Sequence, residues 1–304
     1  MSKLGSLRGA IAQWVPDGSS VVMSAALEAL IPFAAGHEIV RQRKRDLTLV
    51  APISDMLFDQ LIGAGCAATV MAAWVGNVSA GLGHNYRRAA EQGVPRPVRT
   101  ADHSNFSISL ALLAGGMGIP YLPTRTLLGT DIVRTNPSFK EEISPFGDER
   151  LVLVPALVPD VSILHVQRAD EEGHAHAWGN LGVSREALMA ARTTILLAEE
   201  IVPRELIASD PNRVLGPAHK VAAVVHEPGG AHPAPVQGYY NRDHDFFHAY
   251  HRATRTREGW EAWQNEWIFE LPDRRAYLDK LGSGRWQSLQ RKEHRYAALV
   301  DYGY

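Results

Sequence analysis

Short apolar segments alternate with segments of helical length through most of the chain, and this alternation constrains the fold more than any other feature. DLTLVAP and AATVMAAWV have the composition of buried strands, whereas DMLFDQLIGAG and AGLGHNYRRAAEQG, each closed by glycine, are typical of helices. LVLVPAL and VSILHVQ are two further predicted strands, and the aperiodic segment 134–149 is predicted to be an insertion loop. Such alternation indicates βαβ units. We predict an α/β fold, an open parallel-type sheet with helices on both faces.

The composition of the chain changes near residue 240. The part before this point carries the alternation of strands and helices, and the part after it is rich in aromatic and charged residues at helical spacing. Trp260, Trp263 and Trp267 fall on one face of a helix, which has to be buried. We predict an α/β domain over residues 1–240 and a helical C-terminal extension over residues 241–304, packed on the domain or on a partner.

Composition and charge exclude several classes of function. Lys and Arg number 31 against 33 Asp and Glu, and the net charge of -2 gives no general attraction to nucleic acid or to an anionic membrane. The N-terminal residues contain no continuous apolar signal-peptide core, and nowhere do 18 apolar residues run without a charge. The single cysteine, Cys66, has apolar neighbours and is expected to be a buried structural thiol in a reducing compartment. We expect a soluble, cytoplasmic protein that binds neither nucleic acid nor membrane.

The ends of the predicted strands are the places to look for a ligand site. The glycine-rich phosphate-binding motifs of nucleotide-binding α/β proteins are absent from the sequence. Ligands bind open α/β sheets at the carboxyl ends of the strands, where this chain has small residues and hydrogen-bonding groups. The predicted substrate-binding residues are Ser24, Asn77, Asp102, His103, Ser104, Asn105, Gly229, Gly230 and His232.

The segment EPGGAHP, which follows the predicted strand VAAVV, is the most unusual of these strand ends. Gly229 and Gly230 allow positive φ and let a ligand approach the main chain closely, while Pro228 and Pro233 restrict the entry and exit of the loop. An ordinary tight turn in which His232 caps a helix is the alternative. The other predicted loops should lie on the same edge of the sheet, which favours a ligand site.

Two kinds of catalytic site are disfavoured by the residues themselves. A hydrolytic triad of Asp102, His103 and Ser104 conflicts with strand geometry, because neighbouring residues point to opposite faces, and the sequence has no G-x-S-x-G motif. His174 and His176 alternate in a glycine-containing turn without a cysteine or a third ligand. We therefore predict no metal site.

Several motifs are specific when they occur together and in order: KLGSLRGAIAQWVPDGSSVVM, GIPYLPTRTLLGTD, PDVSILHVQRADEEGHAHAWG, EPGGAHP with GYY, and EWIFELPDRRAYLDKLG. With these motifs, over nearly its whole length, the chain resembles the alpha (α) chains of family I coenzyme A transferases, of the glutaconate CoA-transferase type. The resemblance implies a fold shared with sugar-phosphate isomerase-like proteins. It also implies a partner beta (β) subunit in an α2β2 enzyme that moves CoA between an acyl-CoA thioester and a free carboxylic acid.

The resemblance further implies how the chemistry is divided between the subunits. The family's nucleophile is a glutamate on the β subunit, which attacks the acyl-CoA thioester and passes through acyl-glutamyl anhydride and glutamyl-CoA thioester intermediates. We therefore expect no catalytic residue in this chain and no permanently bound cofactor, since coenzyme A is a substrate. The strand-end loops, EPGGAHP included, are expected to line the acyl pocket at the subunit junction.

One departure from the family pattern concerns the acyl substrate. The glutaconate type usually has a Gly-Gly pair followed by Arg-Lys-Pro, whereas this chain has Ser24-Ala25 and then EALIP, with Leu30 and Ile31 in place of the two cations. A terminal carboxylate on the acyl group loses a candidate ion-pair partner. Two other reactions of this scaffold stay open: ring-opening hydrolysis of a cyclic CoA ester, as in steroid degradation, and decarboxylation of a glutaconyl-type CoA ester.

Overall fold

A computed structural model describes residues 1–290 of the 304-residue chain. The strands in this part are β1 Leu4–Gly5, β2 Ser20–Val22, β3 Leu47–Ile53, β4 Ala67–Trp74, β5 Gly76–Asn77, β6 Gly81–Leu82, β7 Arg99–Asp102, β8 Tyr121–Thr124, β9 Lys140–Ile143, β10 Arg150–Pro155, β11 Val161–Ala169, β12 Ala175–His176, β13 Thr193–Ile201 and β14 Val221–His226. The α-helices are α1 Leu7–Trp14, α2 Phe33–Arg41, α3 Met56–Gly63, α4 His84–Gln92, α5 Asn105–Met117, α6 Asp131–Thr135, α7 Ser184–Ala190, α8 Arg204–Ala208, α9 His244–Ala253, α10 Arg257–Gln264, α11 Arg274–Leu281 and α12 Ser283–Leu289. A π-helical turn, Asn265–Phe269, follows α10.

The large sheet has the strand order β1-β14-β13-β11-β2-β3-β4-β7, and all of these strands are parallel. The short β12 pairs antiparallel with the end of β11. Alternate residues of a strand point to opposite faces of the sheet. Val21 and Leu49 accordingly join a core cluster with helices α1, α2 and α3, and Val22 and Val50 join a second cluster with α5 and α7. The predicted parallel sheet with helices on both faces is confirmed.

A small antiparallel sheet with the order β8-β10-β9 corrects two sequence-based expectations. The segment LVLVPAL forms β10 of this sheet and does not join the parallel sheet. The predicted insertion loop 134–149 contains β9, whose residues are all exposed. Since β9 is the polar sequence KEEI, no apolar period marked it as a strand. Val152 and Val154 alternate inward on β10 and pack against α5.

Helices α9, α10 and α11 pack on the same face of the sheet as α1, α2 and α3. Trp260 and Trp263 are buried in that cluster and Trp267 is partly buried against it, as the spacing of the three tryptophans predicted. The division of the chain at residue 240 stays a prediction, and residues 291–304 of the predicted extension lie outside the described residues.

Cys66 lies at the start of β4 and has 1% of its surface exposed. Burial raises the pKa of its thiol to about 12, so the thiol is an inert core group, as its apolar neighbours predicted. Within residues 1–290, no helix combines the length and the apolar character needed to cross a bilayer.

Candidate functional site

The carboxyl ends of the parallel strands form one row, and the predicted site residues fall in two parts of it. Ser24 follows β2, Asn77 follows β4 and His103 follows β7, so the three lie at neighbouring strand ends with β3 between the first two. Gly229 and His232 follow β14, which is separated from β2 by β11 and β13. At about 4.8 Å between strands, β14 and β7 lie about 29 Å apart along the sheet.

The segment 227–242, here called the bridging segment, runs from the end of β14 back toward β2. The amide of Ala34 donates to the carbonyl of Gly230 at 2.9 Å, and the amide of Leu30 donates to the carbonyl of Pro235 at 3.0 Å. The loop after β2 is therefore held by the loop after β14. The two parts of the predicted site are connected through the main chain.

The loops after β2 and β3 contain strained backbone. Ser24, Leu27 and Leu30 have φ values of 57°, 64° and 52°, and Asp55 has a φ of 47°. Non-glycine residues in this region cost about 1–3 kcal/mol each and cluster at functional sites, because the surrounding structure has to hold them there. Four of the six positive-φ non-glycine residues among residues 1–290 lie in these two loops, which favours the ends of β2 and β3 as the centre of the candidate site.

Asp55 is a site residue that the sequence analysis missed. Its buried carboxylate lies 2.8 Å from the Arg242 guanidinium, and its Oδ1 accepts hydrogen bonds from the amides of Met56 and Val78. Burial raises the pKa of Asp55, and the neighbouring Arg242 opposes that shift. Arg242 also donates to the hydroxyl of Ser79. The position of Asp55 directly before α3 was the available signal, since aspartate is a common N-cap.

The side chain of Asn77 is buried and makes hydrogen bonds inside the protein. Its Nδ2 donates to the carbonyl of Phe247 in α9 at 2.7 Å, and its Oδ1 accepts from the amide of Ser79 at 3.0 Å. Ser24 is buried as well, and its hydroxyl lies 3.4 Å from the carbonyl of Ser54. In this chain the two side chains hold the loops at the strand ends.

The residues after β7 begin α5. Ser104 caps the helix together with Ser107, and the buried His103 places Nδ1 3.0 Å from the hydroxyl of Ser107. Burial lowers the pKa of His103 to about 4, so the imidazole is neutral at pH 7. The side chains of Asp102 and Asn105 are exposed at this edge. Of the four residues, these two are therefore the ones open to a ligand.

A cleft of about 440 Å³ lies where the loop after β2 meets the bridging segment. It is lined by Glu28, Ala29, Asn180, Pro235, Val236, Gln237, Gly238, Tyr240 and Asn241. The lining is apolar or carries neutral amides, and Glu28 is its single ionisable carboxylate among the described residues. We call it the carboxyl-edge cleft. An apolar wall with a few hydrogen-bonding groups is typical of a site for a small organic ligand.

Leu30 and Ile31, the apolar residues at the two positions that are usually cationic, do not line this cleft. Leu30 has 4% and Ile31 0% of its surface exposed. Leu30 packs in a small cluster with Ala231, Val236 and Tyr240. Leu30 therefore stabilises the contact between the loop after β2 and the bridging segment, whereas Ile31 is part of the large core cluster that contains α1, α2 and α3.

The two glycines and the histidine of EPGGAHP are each required by a different structural constraint. Gly229 has a φ of 71°, whereas Gly230 does not have positive φ and is required by space, because a Cβ there would lie 2.8 Å from the carbonyl oxygen of Glu227. His232 is fully buried between the hydroxyl of Tyr277 at 2.8 Å and the carboxylate of Asp243 at 3.0 Å. Burial lowers the pKa of His232 to about 4. His232 is not positioned to touch a ligand in the cleft.

A larger cleft of about 790 Å³ lies between the turn after β14 and helices α11 and α12. Glu227, Arg274 and Trp286 are among the residues that line it. Burial raises the pKa of Glu227 to about 7, although Arg274 and Arg41 oppose the shift. The residues that line this cleft include none from the strained loops after β2 and β3, so the carboxyl-edge cleft is the better candidate for the ligand site.

The turn after β11 brings three possible metal ligands together. Ligand atoms of Asp170, Glu172 and His174 lie within 4.8 Å of one another. The Asp170 carboxylate accepts hydrogen bonds from the amides of Glu172 and His174 and contacts His174 Nδ1 at 2.7 Å. Glu172 pairs with Arg204 at 3.1 Å. These contacts are those of a hydrogen-bonded turn, and the predicted absence of a metal site stays a prediction.

Comparisons with known proteins cover nearly the whole chain. The family model described as Coenzyme A transferase matches residues 5–227. The α chain of the 3-oxoadipate CoA-transferase of Pseudomonas knackmussii is 39% identical over 94% of this chain and 100% of its own length. The α chain of the glutaconate CoA-transferase of Acidaminococcus fermentans is 31% identical over 95% of both chains.

Solved structures agree with the sequence comparisons. The crystal structure of glutaconate coenzyme A-transferase from Acidaminococcus fermentans superposes with a TM-score of 0.88 over 95% of this chain and 96% of that chain. The crystal structure of a variant of the decarboxylase AibA/AibB is 28% identical, with a TM-score of 0.75 over 86% of this chain and 99% of that chain.

Proposed function

The chain belongs to the coenzyme A transferase family, as an α chain of the glutaconate CoA-transferase type, and from this premise we propose that it acts in an α2β2 complex with a β subunit. The complex moves CoA between an acyl-CoA thioester and a free carboxylic acid. The observation that carries the proposal is the carboxyl-edge cleft, which lies against the strained loop after β2 and has a wall suited to an acyl group.

In the proposed reaction, the thioester carbonyl carbon is attacked by a glutamate of the β subunit. The carbon–sulfur bond breaks, CoA leaves as the thiolate, and an acyl-glutamyl anhydride forms. The thiolate then attacks the glutamyl carbonyl and releases the first acid, and the acceptor acid takes the CoA by the reverse steps. This chain holds the acyl group in the cleft, between the loop after β2 at Glu28–Ala29 and the bridging segment at Pro235–Asn241. The predicted site residues Ser24 and Gly229–Gly230 support these two walls, and Asn77 and Asp102–Asn105 extend the site along the same edge of the sheet. Coenzyme A is a substrate and no resident cofactor takes part.

The first experiment co-purifies the chain with the product of the adjacent gene. The complex is incubated with a panel of acyl-CoA esters in water labelled with heavy oxygen, with and without free acids. A new CoA ester that forms only with an acceptor acid supports the transferase. The isolated chain should be inactive, and activity without the β subunit would refute the division of labour.

A second experiment locates the covalent intermediate. The complex is treated with acyl-CoA, reduced with borohydride and digested, and the modified peptide is identified by mass. We expect the modified glutamate on the β subunit. Glu28 is the carboxylate of this chain that lines the cleft, so Glu28→Gln should leave the modification in place. Modification of Glu28 itself would place the nucleophile in this chain.

Hydrolysis or decarboxylation of a CoA ester is the alternative on the same scaffold. The likeness to the decarboxylase AibA/AibB and the absence of cations at positions 30 and 31 both support this alternative. The partner decides between the reactions, because transfer requires a glutamate at its nucleophile position. Label in a released or ring-opened acid without an acceptor would indicate hydrolysis, and loss of carbon dioxide would indicate decarboxylation.

A further inference from the structure

One buried carboxylate, that of Glu199 near the end of β13, contacts three groups from different parts of the chain. Its Oε1 accepts a hydrogen bond from the hydroxyl of Tyr240 at 2.7 Å and lies 2.7 Å from Nε2 of His165 on β11. Its Oε2 accepts from the amide of Gly229 at 2.8 Å. Glu199 is 6% exposed and His165 is 2% exposed, so water does not replace these contacts.

Two of the three groups belong to the bridging segment. Gly229 lies near its start, and Tyr240 lies near its end and lines the carboxyl-edge cleft. The hydroxyl of Tyr240 also accepts from the amide of Ala231 at 3.2 Å, which closes the segment on itself. Between these points, the carbonyl of Pro235 holds the amide of the strained Leu30. The position of both cleft walls therefore depends on one carboxylate.

We propose that Glu199 is a positioning residue for the acyl cleft: through Tyr240 and Gly229 it sets the bridging segment against the loop after β2. The inference rests on the proposed function in taking the cleft as the acyl site. Glu199 does not line the cleft, so it acts through Tyr240 and not by contact with substrate.

The chemistry of the three contacts requires a carboxylate. Tyr240 and the Gly229 amide are donors, and His165 donates when its proton is on Nε2. A glutamine at this position has one acceptor oxygen and one NH2 group. The NH2 group, a donor, would then face either the Gly229 amide or the Tyr240 hydroxyl, which are donors as well. Burial, together with the adjacent Glu199, raises the pKa of Tyr240, which keeps the phenol protonated as a donor.

A second carboxylate of the same kind provides the matched control. Asp59 on α3 is buried and accepts from the hydroxyl of Tyr250 at 2.5 Å and from the amide of Tyr86 at 2.8 Å. The hydroxyl of Tyr250 also accepts from Asn85 Nδ2 at 3.3 Å. Tyr240→Phe and Tyr250→Phe thus each remove one bond to a buried carboxylate and one bond from an amide. Only Tyr240 lines the cleft.

The test uses the αβ complex and compares Tyr240→Phe and Glu199→Gln with Tyr250→Phe and Asp59→Asn. Hydrogen–deuterium exchange, measured without ligand, reports on residues 229–241. Steady-state kinetics with acetyl-CoA, butyryl-CoA and succinyl-CoA report on the cleft. For Tyr240→Phe we expect faster exchange in residues 229–241 and a KM for acyl-CoA raised about fivefold with kcat nearly unchanged, the size of one lost buried hydrogen bond.

The control pair should leave exchange in residues 229–241 and the KM unchanged, and should speed exchange in α4 and α9 instead. If Glu199→Gln does not fold, Tyr240→Phe carries the test, because it keeps the carboxylate. Equal KM values for Tyr240→Phe and Tyr250→Phe would overturn the inference while leaving the transferase intact. If the wild-type complex transfers CoA from no ester of the full panel to any acceptor acid, the proposed function fails, and exchange in residues 229–241 alone decides whether Glu199 positions the cleft wall.

Discussion

The carboxylate of Asp55 and the guanidinium of Arg242 lie 2.8 Å apart at the carboxyl edge of the sheet, with side-chain exposures of 0% and 10%. Asp55 follows β3, and Arg242 closes the bridging segment. The guanidinium of Arg242 also stacks on the ring of Phe247 at 3.6 Å. This ion pair therefore adds to the hydrogen bonds of Leu30 and Ala34 in fixing the segment after β14 to the centre of the candidate site.

Removing one partner of this pair should destabilise the chain strongly. Arg242→Met leaves the buried Asp55 carboxylate unpaired, for which a loss of about 3–5 kcal/mol in the free energy of unfolding is expected. The double variant Arg242→Met with Asp55→Asn should regain part of the lost free energy of unfolding. The asparagine carries no charge and keeps an acceptor for the main-chain N–H groups that Asp55 Oδ1 binds. Urea unfolding measures both. Arg87→Met, which breaks an exposed pair with Glu91, is the control and should cost less than about 1 kcal/mol.

The sequence predicted the architecture well, whereas the site residues it indicated stay predictions, which the structure places along one edge of the sheet. The parallel sheet, its helices and the buried tryptophans follow from apolar periodicity, which is a local property. Strand order is not local, so the sequence could not tell that β14 and β7 lie at distant places along the sheet. Asp55 was missed because its importance depends on Arg242, a residue brought to it by the fold. His232 looked like a loop residue, yet it is buried and held by hydrogen bonds with Asp243, Arg274 and Tyr277.

The acidity of Glu227 predicts a pH dependence of stability. Its pKa is raised by burial from 4.5 to about 7 in the folded chain, so the folded state binds the proton more tightly than the unfolded state. The stability it contributes is fully present below pH 4.5 and is lost as the pH rises through about 7. Glu227→Gln should therefore become more stable relative to wild type across this interval. A difference that does not change with pH would show that Glu227 titrates normally.

Gly230 is expected to tolerate no side chain. A Cβ at this position would lie 2.8 Å from the Glu227 carbonyl oxygen and 3.0 Å from Cε1 of His165, so Gly230→Val should cost about 1–3 kcal/mol or more through overpacking. Damaged assembly with the β subunit or weaker binding of a CoA ester should accompany this loss. Gly147→Val is the control, since a Cβ there meets nothing within 4 Å. A fully active Gly230→Val complex would contradict the packing argument.

Asn105 tests whether the loop after β7 belongs to the site. Its side chain is exposed at the first position of α5, so Asn105→Ala should not change the melting temperature. If the loop contacts the acyl group, the KM for acyl-CoA rises about fivefold, the effect of one lost hydrogen bond. His103→Ala should add a loss of stability, because it vacates a buried position beside Ser107. Unchanged kinetics in both variants would place the acyl site away from β7.

The carboxylate of Glu28 disfavours binding of a negatively charged acyl group in the carboxyl-edge cleft. It is the ionisable carboxylate of the lining, and the described lining contains neither lysine nor arginine. Leu30 and Ile31 are buried, so they leave no room for a cation to be restored at those positions. We therefore expect the complex to use butyryl-CoA with a higher kcat/KM than succinyl-CoA. Glu28→Gln should reduce the ratio of kcat/KM for butyryl-CoA to kcat/KM for succinyl-CoA, and Glu28→Arg should bring it below one. The reason is that like charges in a cleft repel and opposite charges attract. A wild-type preference for succinyl-CoA that Glu28→Arg does not increase would mean that the distal carboxylate is bound by the β subunit, not by this cleft.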